Sequence, residues 1–238
     1  IQNIGFLLLC TFAALFLTRP IVSVIVLGGL FVLATVMHLI WRQRAFCSYV
    51  CPVSGFLSLY SMTSKVEVRA KEREVCDKCK DKSCLAGSEA GWGCPWYVHP
   101  SKLDRNNYCG LCMECVKTCS HENIAFNVRP FCSDTGLKGY DEAWKAFIML
   151  ALAITYSVIY LGPWGFLKDW ANVAESGNWA GFLTYTIVLW ASALVAIPGL
   201  YYLAVRSGRV LSGSTAAPPK EIFLNFVYPL VPLGLFAW

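Results

Sequence analysis

Charged residues and histidine are scarce in this chain of 238 residues. Charged side chains make up 15% of it, histidine occurs three times, and 56% of the residues are hydrophobic. No stretch interleaves basic with aromatic residues, so we expect no binding to nucleic acid. The sequence has no Cys-x-x-Cys-His motif for haem c, and His38 is the one histidine in an apolar run, too few for the two axial ligands of haem b. We therefore expect no haem bound by this chain alone.

The few charges are unevenly distributed. Residues 42–145 carry fifteen Lys and Arg and twelve Asp and Glu, which leaves five and three for the rest of the chain. The remaining segments are apolar runs that approach or exceed the roughly 20 residues needed to cross a bilayer. We therefore expect an α-helical integral membrane protein with a polar segment inserted between its membrane helices.

Five apolar runs are candidates for transmembrane helices. They are Ile4–Leu17, Ile21–Trp41, Trp144–Leu161, Trp179–Val205 and Ile222–Trp238. They predict helices 1 and 2 within residues 1–45, helices 3 and 4 within 141–205, and an incomplete helix 5 at 222–238. A linker rich in Ser, Ala and Pro is expected at 206–221. Because the chain begins without Met and ends in an apolar run, we interpret it as a segment of a longer protein.

Basic residues predict the side of the membrane on which the polar segment lies. Arg42 and Arg44 follow the second run, and Arg206 and Arg209 follow the fourth, whereas the loop at 166–178 has little positive charge. Lys and Arg concentrate at the cytoplasmic ends of membrane helices. We therefore expect a multi-pass protein of the bacterial inner membrane, in contact with membrane lipid, with its polar segment in the cytoplasm.

Cysteine is abundant, in contrast to charge. Eight of the twelve cysteines lie within 44 residues, in the patterns Cys-x2-Cys-x4-Cys-x9-Cys-Pro and Cys-x2-Cys-x2-Cys-x3-Cys. They are Cys76, Cys79, Cys84, Cys94, Cys109, Cys112, Cys115 and Cys119. The second pattern has the spacing of the bacterial ferredoxin run, in which the fourth cysteine binds a neighbouring cluster. We therefore expect two complete sets of iron–sulfur ligands.

Structural zinc and disulfides are the alternative uses of these cysteines. Zinc ribbons supply two separated cysteine pairs per ion, whereas residues 109–115 place three thiolates in seven residues. Disulfides suit small secreted domains, and the flanking apolar runs and nearby lysines argue against that setting. Iron–sulfur ligation is favoured over both, and zinc remains open.

A further cysteine pair precedes the eight. Cys47 and Cys51 form a Cys-x3-Cys-Pro motif within residues 46–66, and Pro52 suits the first position of a helix predicted over Val53–Thr63 along the membrane surface. Four residues apart, the two thiols would share one face if the turn were helical. We predict a redox-active or metal-binding pair, with two structural thiols under the helix as the alternative.

The order of these features resembles the membrane-bound polyferredoxins. That family includes the membrane ferredoxin subunit of periplasmic nitrate reductase systems, the nitrous-oxide reductase regulator and the accessory protein of cbb3-type oxidase assembly. The resemblance covers Trp41 to Arg129 and rests on two apolar runs, a basic turn, the Cys-x3-Cys-Pro motif and paired ferredoxin motifs. It implies a small α+β ferredoxin-like module, at residues 67–140, that holds two 4Fe–4S clusters.

The resemblance also implies how the cysteines are paired. One cluster takes Cys76, Cys79, Cys84 and Cys119, and the other takes Cys94, Cys109, Cys112 and Cys115. In each set, three cysteines come from one motif and the fourth comes from the other motif. This crossed pairing is the rule for ferredoxin motifs, and spacing alone does not establish it. The first motif is longer than the compact ferredoxin run, and its glycine-rich insert at Leu85–Gly93 is expected to form a loop over one cluster.

Residues beside the cysteines complete the prediction for the module. Asn123–Val128 is expected to be the short strand that closes the fold. His121 is a candidate donor to a cluster sulfur, with a surface histidine as the simpler interpretation. Lys78, Lys80 and Lys82 bring positive charge near one cluster, which would raise its potential or dock an acidic partner unless they only solvate a loop.

The resemblance implies a membrane-anchored relay of electrons between the quinone pool, or a membrane partner, and a redox partner in a respiratory complex. The expected partners are a quinone or quinone-reactive subunit and other subunits of a respiratory or metalloenzyme complex, such as a cytochrome or a periplasmic oxidoreductase. The sequence has no signature of a substrate pocket, so we expect a non-catalytic subunit of an oxidoreductase complex. The alternatives are an assembly factor in which Cys47 and Cys51 bind or reduce copper, and a structural subunit whose clusters only stabilise it.

Overall fold

The computed structural model describes residues 2–41, 43–134, 137–161, 165–213, 218–231 and 233. These residues are mostly helical and contain a sheet of two strands. The chain divides into two compact units. The membrane unit comprises Ile1–Phe31 and Gly136–Trp238, and the polar unit comprises Val32–Thr135.

Short helices dominate the polar unit, and the longest helices carry the apolar runs. The α-helices in chain order are α1 (Gln2–Thr11), α2 (Ala13–Thr18), α3 (Pro20–Ile40), α4 (Ala45–Tyr49), α5 (Pro52–Ser61), α6 (Arg73–Lys78), α7 (Ser83–Ala86), α8 (Glu114–Thr118), α9 (Tyr140–Tyr156), α10 (Gly165–Ala171), α11 (Val173–Ser176), α12 (Trp179–Ala191), α13 (Ile197–Ser212) and α14 (Pro219–Val227). The strands are β1 (Val66–Ala70) and β2 (Ile124–Val128). Turns of 3₁₀ helix cover Pro100–Lys102 and Asn106–Tyr108, and π-helical turns cover Ser157–Leu161 and Ser192–Ala196.

Three helical stretches among the described residues are long and apolar enough to cross a membrane. They are α3, Tyr140–Ile159 and Trp179–Ser212, the last of which joins α12 to α13. α3 has 21 residues, and a rise of about 1.5 Å per residue makes it as long as the roughly 30 Å thickness of the bilayer core. α3 has no buried residue, so its apolar surface needs lipid or a partner around it. These lengths and compositions fit a membrane protein.

The predicted second, third and fourth spans coincide with these three stretches. The predicted first span forms α1 and α2, of 10 and 6 residues, and the predicted fifth overlaps α14, of 9 residues, which begins at Pro219. Within the described part of the chain, each of these helices is too short to cross a bilayer by itself. The count of five spans therefore stays a prediction. Residues 232 and 234–238 of the fifth run lie outside the described residues.

The helix of the predicted fourth span ends later than expected. α13 continues through Ser212 and α14 begins at Pro219, so the prediction of a linker over 206–221 is wrong for residues 206–212 and 219–221. Residues 206–212 contain no proline, and Gly213 ends the helix in the left-handed conformation, with a φ of 62°. Residues 214–217 of the predicted linker lie outside the described residues. A π-helical turn, Ser192–Ala196, ends two residues before Pro198 within this stretch.

The core of the membrane unit lies between α1, α9 and α12. Leu7, Ala151 and Leu189 are almost fully buried there. The hydroxyl groups of Tyr156 and Tyr185 donate to the backbone carbonyl of Cys10, at 2.9 and 3.2 Å. Hydrogen bonds between helices of this kind satisfy polar groups that have no water partner in a bilayer. Cys10 is therefore part of the packing between helices.

The polar unit contains the antiparallel pair of β1 and β2, in which Val66 pairs with Val128. β2 confirms the strand predicted at Asn123–Val128. β1 was not predicted, although its valines alternate with charged residues as in a half-buried strand. Val68 and Ile124 are buried and pack with the cysteine segment. The sheet thus supports the loops that carry the thiols.

The Cys-x3-Cys-Pro motif forms the turn between α4 and α5. α5 confirms the helix predicted after this motif, and Pro52 is its first residue. It buries Phe56 and Leu59 and packs on the 3₁₀ turn Asn106–Tyr108. Because Leu57 is exposed, α5 keeps an apolar residue on its outer surface. Its position along the membrane surface stays a prediction.

A network of buried charges ties the segment before the second cysteine motif to the sheet. Arg129 forms ion pairs with Asp134 and, at 3.2 Å, with Glu67. Its Nε donates to the carbonyl of Ser64 at 3.0 Å. The second carboxylate oxygen of Asp134 accepts the backbone N–H of Asn106 at 2.7 Å. The Asn106 side chain donates in turn to a carbonyl of β1 at 2.7 Å, so one carboxylate connects β2, β1 and the loop before Cys109.

Candidate iron–sulfur sites

Four thiols from three helix ends line a first cavity in the polar unit. Cys76 lies in α6 and Cys79 follows its last residue. Cys84 lies in α7, and Cys119 follows the end of α8. The structure therefore brings together the four cysteines that were predicted for the first cluster.

Four other thiols line a second cavity. Cys94 comes from the loop after α7, Cys109 and Cys112 come from the loop before α8, and Cys115 lies in α8. The other lining residues are mostly apolar: Val68, Trp96, Val98, Pro100, Leu103, Tyr108, Gly110 and Met113. This set is the one predicted for the second cluster, so the crossed grouping is present in the fold.

α8 explains why the last two cysteines of the run separate. Cys115 is inside the helix, and Cys119 directly follows its last residue, where the backbone becomes extended with φ −73° and ψ 109°. Four helical residues advance the chain by about 6 Å along the helix axis. Cys115 therefore lines the second cavity and Cys119 the first, and a single helical turn connects the two sites.

The donor sets have the ligand chemistry that 4Fe–4S clusters require. Each cavity is lined by four thiols, the ligands that 4Fe–4S clusters use. Among the described residues, no three His, Cys, Asp or Glu side chains converge closely enough to hold one metal ion. The residues present fit the clusters, and the ligation itself stays a prediction.

Several N–H groups point at the cysteine sulfurs. The side chain of Asn123 donates to Cys76 Sγ at 3.2 Å, and its backbone N–H donates to Cys119 Sγ at 3.4 Å. In the second cavity, the backbone N–H of Leu111 donates to Cys109 Sγ at 3.4 Å. Such donors favour the thiolate form that binds metal and influence the potential of a cluster. Asn123 was predicted only as the start of a strand. No sequence pattern indicates that an asparagine side chain will donate a hydrogen bond to a cysteine sulfur.

Burial holds protons on the cysteines while no cluster is bound. Together with the charges of Cys119, Cys76 and Cys79, it raises the pKa of Cys84 to about 11. It likewise raises the pKa of Cys115 to about 12, with added repulsion from the thiols of the second cavity. Thiolates crowded in this way need a cationic centre between them. Binding of a metal must therefore release protons, so retention of the metal weakens as the pH falls.

Histidine and lysine lie beside the first cavity. His99 and the predicted His121 both line it. Burial lowers the pKa of His99, and the charge of Lys82 lowers it further, which indicates that one of the three predicted lysines is close to the site. His99 was not predicted as a site residue, since it lies fifteen residues after the nearest cysteine of that set. Its Nδ1 is 2.8 Å from the Ser101 hydroxyl.

Cys47 and Cys51 line neither of the two cavities. α4 ends at Tyr49, and Cys51 has an extended backbone, so the continuous helical turn considered for this pair is not formed. Cys51 still influences Cys47: burial raises the pKa of Cys47, Cys51 raises it further, and Arg44 lowers it. The backbone N–H of Arg44 donates to the Pro95 carbonyl at 3.0 Å. The motif is therefore docked beside the segment that supplies Cys94.

Known proteins match short stretches of the chain. Over 84 residues it is 32% identical to an uncharacterized protein of Methanocaldococcus jannaschii, a match that covers 35% of this chain and 31% of that protein. Over 47 residues it is 40% identical to the methylamine utilization ferredoxin-type protein MauN of Paracoccus denitrificans, which covers 20% of this chain and 17% of MauN. No family model and no solved structure matches the chain. The chain thus spans less than a third of these curated relatives, and its similarity to a ferredoxin-type protein, with twelve cysteines, is compatible with an iron–sulfur protein.

Proposed function

We propose that this chain is a membrane-anchored electron-transfer protein of the polyferredoxin type, with two 4Fe–4S clusters in a ferredoxin-like module. The observation that carries the proposal is the convergence of eight thiols on two cavities, four on each. Candidate membrane helices in the same chain, and the similarity to a ferredoxin-type protein, support it.

The residues around the cavities suit a relay of electrons. Bound there, a cluster supplies one-electron chemistry. The thiolates bind it, and the N–H groups of Asn123 and Leu111 stabilise the charge on sulfur. Apolar side chains around the second cavity limit the access of water, which strengthens every electrostatic effect on the site. Because Cys115 lies in α8 and Cys119 directly follows it, the two clusters lie close together, as transfer between them requires.

The same proposal includes the topology of the protein in the membrane and its partners. The protein has five membrane spans in the bacterial inner membrane, and its clusters face the cytoplasm, on the side of Arg44, Arg206 and Arg209. It exchanges electrons with a quinone or a quinone-reactive subunit, and with further subunits of a respiratory or metalloenzyme complex. The chain acts as a relay subunit, and substrate chemistry belongs to its partners.

Oriented membrane vesicles test both the relay and its side of the membrane. After reduction with dithionite and methyl viologen, a mediator that carries electrons across membranes, we expect ferricyanide, a charged oxidant that does not cross them, to remove the EPR signal of the reduced clusters in inverted vesicles. Sealed right-side-out vesicles should keep the signal until detergent opens them. Membranes from cells without the protein provide the background spectrum. Oxidation in sealed right-side-out vesicles would contradict the topology, and the lack of any reducible signal would contradict the relay.

A second candidate function concerns the Cys-x3-Cys-Pro motif. Cys51 is near enough to raise the pKa of Cys47, and Arg44 links their turn to the Cys94 segment. Two soft thiolates beside an electron-carrying site suit the binding of Cu(I), or the reduction of Cu(II) by one electron from that site. The chain would then act as an assembly factor for a metalloenzyme.

Replacing Cys47 and Cys51 by serine distinguishes copper binding by this pair from a structural role. We expect the Cys47→Ser, Cys51→Ser protein to keep its iron while it loses Cu(I) binding, measured by competition with a chromogenic chelator. Cys132→Ser is the matched control, because Cys132 lies in the polar unit but lines neither cavity. Unchanged copper binding and unchanged electron transfer would make the pair structural. Loss of one cluster's iron would show that the assignment of ligands is wrong.

A further inference from the structure

The indole of Trp96 carries a buried donor that has no acceptor. Its Nε1 is inaccessible to water and has no hydrogen-bond partner within the described residues. The indole N–H can only donate, so no other arrangement of the same ring satisfies it. Buried polar groups nearly always have a partner, and an orphan of this kind calls for a specific explanation.

The position of this donor supplies an explanation. Trp96 lines the second cavity together with its four thiols. A Cβ atom added at Gly110 would lie 2.3 Å from Trp96 Nε1, so the edge of the indole rests directly on the backbone between Cys109 and Cys112. Glycine is needed there because any side chain would displace the ring. The N–H is thus located at the wall of the site that the sulfurs surround.

The surroundings of the ring keep that edge in place. The carbonyl of Pro95, the preceding residue, accepts the backbone N–H of Arg44 at 3.0 Å. The Arg44 guanidinium lies over the ring of Trp96, 5.9 Å from its centroid. Cys94, two residues earlier, donates its backbone N–H to the Cys84 carbonyl at 2.9 Å. Backbone bonds on one side and a cation over one face therefore fix the indole against the cavity.

We propose that Trp96 donates its Nε1–H to a sulfur of the second cluster and so sets that cluster's reduction potential. The proposal rests on the function proposed above, since it requires a cluster in the second cavity. A reduced cluster carries one more negative charge than the oxidised one, so a hydrogen bond to its sulfur stabilises the reduced form more. Trp96 therefore raises the potential of the second cluster and leaves the first, whose sulfurs have Asn123 as donor, unaffected.

Replacement by phenylalanine tests the proposal because it keeps an aromatic ring under Arg44 and removes the donor. In Trp96→Phe, we expect the potential of one cluster to fall, so that its ratio of reduced to oxidised forms at a fixed potential drops about tenfold, or roughly 59 mV for a one-electron couple. The potential of the other cluster and the iron content should not change. Trp92→Phe is the matched control, since Trp92 belongs to the same segment but is 85% exposed. EPR-monitored redox titration of the full protein gives both potentials.

Isotope labelling provides a second test of the proposal, which does not depend on how the Trp96→Phe variant folds. In the wild-type protein with ¹⁵N in its indole rings, we expect pulsed EPR of the reduced clusters to detect coupling to one ¹⁵N nucleus, and this coupling should persist in Trp92→Phe. The proposal is overturned if no indole nitrogen couples to a cluster, or if both potentials in an iron-replete Trp96→Phe protein equal those of wild type. A protein without any cluster would instead contradict the proposed function and would be recognised by its lack of iron.

Discussion

Replacing Cys94 and Cys112 together by alanine is expected to remove one cluster and leave the other intact. Both thiols line the second cavity, although Cys94 belongs to the first motif in the sequence. A cluster that loses two of four thiolates is not held, whereas the first cavity keeps its full set. The anaerobically purified variant should contain about four iron and four acid-labile sulfides per chain, half of the full complement for two four-iron clusters.

The matched variant takes one thiol from each cavity. Cys112 lines the second cavity and Cys119 the first, although both belong to the same motif. Alanine at these two positions should therefore remove both clusters. If each motif instead held its own cluster, the two outcomes would be exchanged: the Cys112, Cys119 variant would keep four iron and the Cys94, Cys112 variant would keep none. The pair of variants thus separates crossed from sequential pairing by iron content alone.

Asp134→Ala is expected to destabilise the polar unit by about 3–5 kcal/mol, the usual effect of removing one partner of a buried ion pair. The Asp134 side chain is 6% exposed and pairs with Arg129, which is 7% exposed. Its other oxygen accepts the Asn106 N–H at 2.7 Å. The substitution removes one of the carboxylates that pair with Arg129, which keeps Glu67 at 3.2 Å, and it leaves that N–H without its acceptor in a buried site. For a unit of about a hundred residues, this should lower the midpoint of thermal loss of cluster absorbance by more than about 10 °C.

Lys117→Ala is the control for this experiment. Lys117 pairs with Glu114 at 3.0 Å, one helical turn away, but its side chain is 58% exposed. Exposed pairs of this type contribute little to stability because water and salt screen them. The midpoint of Lys117→Ala should therefore stay near that of wild type. If Asp134→Ala behaved in the same way, the buried network would not be what ties the second cysteine motif to the sheet.

Cysteine spacing predicted the thiol sets of the candidate sites, because such spacing describes a local wrapping of the chain. Gaps of two residues keep Cys109, Cys112 and Cys115 around one cavity, and the gap of three lets Cys119 leave it at the end of α8. The crossing to Cys94 required the rule for ferredoxin motifs as well. Long apolar runs likewise predicted the three longest candidate spans, since their length and composition alone set them apart.

Features that depend on distant parts of the chain were not predicted. β1 is five residues long and gains its partner β2 more than fifty residues later, so no local pattern marks it strongly. The donors Trp96 and Asn123 are ordinary residues in sequence, and only the fold brings their N–H groups to the cavities. α13 continued past its predicted end because the basic residues Arg206 and Arg209, taken as the signal of a membrane boundary, are also good helix formers.

Quantification of iron, acid-labile sulfide and zinc in the anaerobically purified protein tests the central claim most directly. Two 4Fe–4S clusters on the eight thiols require about eight iron and eight sulfides per chain. EPR after reduction should then show the signals of reduced four-iron clusters. Tightly bound zinc in stoichiometric amount, with no acid-labile sulfide, would contradict the claim and make both cavities structural metal sites.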